Sequence, residues 1–70
     1  MNEVAMREFL NMKPFEPFLV VMSSGDKHLV KHPENALLTK TRLFVSNPEN
    51  DTVAICALLH VAAVETQQTA

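Results

Sequence analysis

The sequence predicts a mainly β chain with one N-terminal helix, folded as a small five-stranded barrel. Three observations lead there. Short runs rich in β-branched and aromatic residues, such as 18–23 and 42–46, alternate with turn signals at Ser24-Gly25-Asp26, His32-Pro33-Glu34-Asn35 and Asn47-Pro48-Glu49-Asn50. Only one segment, near the N-terminus, carries a helical period. Residues 53–64, VAICALLHVAAV, have His60 as their one polar residue and must be hidden. They are too few to cross a bilayer, which takes about 20 apolar residues.

The expected helix covers residues 3–12. Asn2 is an N-cap acceptor, and Glu3 suits the positive end of the macrodipole. Met6, Phe9, Leu10 and Lys13 fall at i, i+3, i+4 and i+7, so three apolar side chains share one stripe. Pro14 disfavours helical geometry at Lys13 and ends the element. So short a helix has to pack on something. In residues 13–18, KPFEPF, Pro14 and Pro17 hold the chain extended while Phe15 and Phe18 plug the core. A rigid connector with aromatic anchors is the plain reading, and a proline-rich ligand motif is the functional alternative.

Residues 18–23 and 27–31 read as a hairpin around Ser24-Gly25-Asp26, with Gly25, the only glycine, as the residue for positive φ. His28 and Val30 share one face of the second strand, and Lys27, Leu29 and Lys31 the other. Pro33 breaks that strand. Residues 36–39 and 42–46 resume as strands, the latter with Leu43 and Val45 on one face and Phe44 on the other. Asn47-Pro48-Glu49-Asn50 has the residue order of a type I turn. As a strand, residues 53–64 are apolar on both faces: Val53, Ile55, Ala57, Leu59 and Val61 on one, Ala54, Cys56, Leu58 and Ala62 on the other. Two-sided burial calls for a sheet covered on both faces, or for a strand that also lies in a subunit contact. The alternative is a buried helix, favoured by the Ala and Leu content and capped by Asn50, Asp51 or Thr52. The β-branched Val53, Ile55, Val61 and Val64 favour strand. His60 is a candidate bend between two short strands, and residues 66–70 are expected to fray.

Seventy residues make one domain, 1–70, whose core is thin. Small domains usually need a disulfide, a metal or self-association. Cys56 is the only cysteine, so no intrachain disulfide can form. Within the apolar run it reads as a small buried hydrophobe in a reducing compartment. One cysteine and three scattered histidines make no zinc cluster, and no cofactor is inferred. His28 and His32, four apart on a strand, lie about 13 Å from each other. His60 has no second titratable group nearby in sequence, and one glycine makes no phosphate loop, so the chain is not expected to be an enzyme. No basic-then-apolar leader is visible, and the expected location is the cytoplasm. Self-association is the remaining staple.

The net charge is −2 and unevenly spread. Lys27, Lys31, Lys40 and Arg42 stand against Glu34 alone in the middle of the chain, whereas residues from Leu43 onward hold three acids and no base. Such a basic segment is ordinarily a solvated face, but repeated by symmetry it would contact phosphate despite an acidic total.

Two resemblances enter on particular residues. Pro14-Phe15-Glu16-Pro17-Phe18, Gly25-Asp26, His32-Pro33-Glu34 and Leu58-Leu59-His60-Val61 resemble a pattern found in a family of short bacterial proteins with no known function to lend. That likeness spans residues 9–65. More distantly, Phe9-Leu10-Asn11 in the helix, the strand ending at Gly25 and the His60 segment resemble Sm-like proteins, Hfq among them. The second resemblance implies an SH3-like/Sm-like barrel, ring assembly through edge strands, and RNA binding near His60. Leu59 stands where that family has lysine, the strand ends in Ser24-Gly25 rather than Asn-Gly, and no aromatic adjoins His60. The expected function is a non-enzymatic, self-associating interaction module, a homo-oligomer with Val53, Ile55, Ala57, Leu59 and Val61 in its interface. The alternative is a ring-forming RNA binder contacting phosphate through Lys27, Lys31, Lys40, Arg42 and His60. Neither a membrane nor a small-molecule substrate is implied.

Overall fold

The computed structural model describes residues 1–66. Its one α-helix, α1 (Glu3–Leu10), starts where Asn2 caps it: the Asn2 side chain accepts from the Ala5 amide at 2.8 Å, and Glu3 pairs with Arg7 one turn on at 2.6 Å. It stops two residues short of the expected end. Asn11 leaves the helical region while its amide still reaches the Arg7 carbonyl, and residues 11–17 run irregularly past Pro14 and Pro17. The apolar stripe packs inward, with Met6 fully buried and Phe9 stacked obliquely on Phe18 at 5.5 Å between ring centroids.

Six strands follow: β1 (Phe18–Met22), β2 (Lys27–Val30), β3 (Ala36–Leu38), β4 (Arg42–Asn47), β5 (Thr52–Ala57) and β6 (Val61–Thr66). The expected five-stranded barrel does not form. The strands make two open, antiparallel three-stranded sheets, ordered β2-β1-β6 and β3-β4-β5. A barrel needs one unbroken ladder of strands. Here the ladder is interrupted at both places where the chain changes sheet. Between β2 and β3 a 3-10 turn, Pro33–Asn35, intervenes, and Pro33 has no amide to donate. Between β5 and β6 a second 3-10 turn, Leu58–His60, lifts the chain from one sheet to the other.

That second turn divides the apolar run. It is tied to both sides, with the Leu58 amide donating to the Thr41 carbonyl at 2.9 Å and the Ser23 amide to the His60 carbonyl at 2.8 Å. Three residues of turn also reset the in–out alternation, so the face expected to unite Val53 through Val61 ends at Ala57. Val61 enters the core of the chain itself, while Leu59 stands on the turn.

The core lies between the sheets and under α1. Phe18, Val20 and Val30 come from one sheet and Leu43, Val45 and Cys56 from the other; Met6, Leu58 and Val61 complete it. Burial pushes the Cys56 thiol above its usual pKa. The β1–β2 turn closes with Gly25 at φ 96, and the β4–β5 turn with Asp51 at φ 54. The expectation for residues 66–70 meets Thr66 as the last residue of β6; residues 67–70 lie outside the described part.

Candidate functional site

Each sheet has an inner face spent on the core and an outer face whose composition follows from strand alternation. On β3-β4-β5 the register sets Leu37 opposite Phe44 and Phe44 opposite Ile55, a row of three apolar side chains across the sheet. Val53 sits two residues along β5 on the same side, opposite Ser46, and Ala57 faces Arg42 at the other end. Leu37, Val53 and Ile55 are 64%, 63% and 64% exposed, whereas Leu43 and Cys56, pointing the other way, are sealed. Phe44 is half-buried, flanked by Leu37 and Ile55. Scattered exposed apolar residues are normal on a protein surface, whereas contiguous ones mark a contact surface once the patch exceeds a few hundred Å².

Of the residues expected in an interface, Val53, Ile55 and Ala57 therefore lie together on this face. Leu59 is 85% exposed but stands on the 3-10 turn beyond the strand. Leu37 and Phe44 were not among those expectations. Phe44 had a legible signal, since it alternates against Leu43 and Val45. Leu37 had none, because three apolar residues in a row, Ala36-Leu37-Leu38, carry no phase.

The basic residues are not brought to one place. Lys27, at the start of β2, reaches Glu65 of β6 at 3.8 Å across the outer face of its sheet. Lys31 pairs with Glu49 at 3.1 Å. Lys40 and Arg42 lie at the β3–β4 turn, exposed and making no ion pair among the described residues. His60 is exposed at the end of its turn and lines an open cleft of about 410 Å³ with Met22, Ser23, Asp26, His28 and Ile55. His32 belongs to a different cleft, of about 280 Å³, beside Lys31 and Glu49, so the His28/His32 pair is split. Among the described residues no three His, Cys, Asp or Glu side chains are grouped so as to hold a metal ion. No described helix is long and apolar enough to cross a membrane.

No protein-family model matches the chain, and searches of curated proteins and of solved structures return no match. The likenesses noted in the sequence thus stand on the quoted residues alone.

Proposed function

We propose that the protein is a non-enzymatic interaction module that works as a homo-oligomer, associating through the outer face of β3-β4-β5. The observation that carries this reading is the cross-strand row Leu37–Phe44–Ile55 with Val53 beside it, left uncovered by the described residues. Sheets bury such faces by packing against another sheet about 10 Å away. The occupant is a second copy of the chain. The face has bases at one end, Lys40 and Arg42, and acids around the other, Glu49 and Asp51, so it complements itself when reversed.

The reading of the protein as a ring-forming RNA binder has less to work with. Two of its four cations are engaged by Glu49 and Glu65, and the remaining two sit at one end of a sheet. The test is Ile55→Lys, examined by light scattering together with single-stranded RNA binding at low salt. Loss of the larger species in the variant, with circular dichroism unchanged and RNA ignored by both proteins, is the expected result. A variant with the mass of the parent overturns the interface. A salt-sensitive RNA shift that needs Lys40 and Arg42 transfers the function to the RNA reading.

A further inference from the structure

The charge layout of the β3-β4-β5 face carries more than the existence of a contact. Along β4 the chain runs from Arg42 to Asn47, about 17 Å at ~3.4 Å per residue. At its start are Lys40 and Arg42, with no acid in residues 38–42 or 56–60; Asp26 of the β1–β2 turn lines the cleft beside Ala57 and His60 at the β5 edge. At its far end the β4–β5 turn carries Glu49 and Asp51, and Glu34 lies just before the paired end of β3. The bases near that end among the described residues are Lys31, which Glu49 holds, and Lys27, which lines a cleft with Asn47 and Thr52 and pairs with Glu65. Asp51 makes no ion pair among the described residues.

Two copies of one sheet face that keep their strands aligned can meet about a two-fold axis in the plane between them in two ways. If the axis runs along the strands, each end meets its own copy: Lys40 and Arg42 face Lys40 and Arg42, and Asp51 faces Asp51. If the axis runs across the strands, over the Leu37–Phe44–Ile55 row, the strands of the two copies are antiparallel. The basic end of each then lies over the acidic end of the other. Both arrangements bury the same apolar row, so hydrophobic area does not choose between them. Charge does, because like charges placed opposite one another on a rim penalise an orientation even where favourable pairs add little affinity.

We infer that the chain forms a two-fold dimer in which the β3-β4-β5 sheets pack face to face with antiparallel strands, Arg42 of each copy lying over Ser46 of the other and extended toward Asp51, with Lys40 over the β4–β5 turn. This rests on the self-association proposed above and specifies its geometry. Leu37, Phe44 and Ile55 each approach their own counterpart along the axis. Arg42 and Asp51 act between copies only, since within one chain they lie at opposite ends of the sheet.

A mutant cycle on the full chain separates the alternatives. Asp51→Asn is a mild change, because asparagine accepts the positive φ that Asp51 has. Dimer dissociation is measured by sedimentation for the parent, Asp51→Asn, Arg42→Glu and the double variant. Two symmetry-related contacts of surface strength predict that Asp51→Asn weakens the parent dimer by roughly twofold to thirtyfold. In the Arg42→Glu background the same change removes a repulsion and tightens the dimer. This reversal of sign is the signature of antiparallel packing. Tightening in both backgrounds, or no effect in either, overturns the orientation while leaving the dimer in place. A parent chain that never dimerises removes the orientation and the proposed function together.

Discussion

The two sheets have the same number of strands and share one core, yet they finish their outer faces differently. On β2-β1-β6 the outward residues Leu19, Val21 and Leu29 are half-buried, and Lys27 and Glu65 reach toward each other at 3.8 Å on that side. Long charged side chains can lay their aliphatic stems over apolar neighbours while keeping their heads in water. On β3-β4-β5 no ion pair among the described residues spans the sheet. Arg42 and the acids stand at its ends, and Leu37, Val53 and Ile55 remain mostly open. One outer face is screened by the chain's own charges. The other is an apolar strip framed by them, the anatomy of an interface with a dry centre and a polar rim.

The largest effect should come from the shared core, which neither outer face can replace. Leu43→Ala should cost about 2–5 kcal/mol in urea unfolding, since its side chain is fully enclosed. Its neighbour Phe44 points outward, so Phe44→Ser should act chiefly on oligomer mass; equal losses of stability in both variants would break the distinction between the faces of β4. Next comes a direct contrast of the sheets. Ile55→Lys should abolish association, whereas Leu19→Lys should leave the mass unchanged. Equivalent loss of association from both would show that the screened face is also a contact.

The hairpin turns differ in the same way on a smaller scale. Gly25→Ala forces a methyl group into φ 96 and should cost about 1–2 kcal/mol, while Asp51→Asn should change thermal stability little. Cys56 offers a pH test of the common core. Its folded pKa is raised, so the neutral thiol's contribution is fully present below the unfolded value, about 8.5, and is lost as pH rises through the folded one. Stability of the parent should therefore fall across that alkaline window more than that of Cys56→Ala. The smallest effect is expected from Lys27→Ala, at most about 1 kcal/mol and reduced by salt, because its pair is exposed.

What could be read in advance was local. Asn2 marks the helix start, Gly25 the first hairpin, Pro33 the break after β2, and the polar stretch after Asn47 the second hairpin, each through chemistry within a few residues of itself. The closed barrel was a non-local expectation, and it failed at the joints. Nothing in the run VAICALLHVAAV states that Leu58–His60 will tighten into a 3-10 turn whose partners, Thr41 and Ser23, lie far off in sequence. That turn alone sends Val61 inward, and a count by twos along the strand cannot anticipate it. The apolar face was half legible for the same reason. Its β5 residues follow from alternation, but Leu37 and Phe44 join them only once the register of β3, β4 and β5 is known.

The claim on which everything else turns is that the β3-β4-β5 face is covered by a second chain. Sedimentation equilibrium of the parent protein over a wide concentration range tests it most directly. A mass rising from the 7.8 kDa of one chain to twice that value is the predicted result. A mass that stays at 7.8 kDa at every concentration would contradict it.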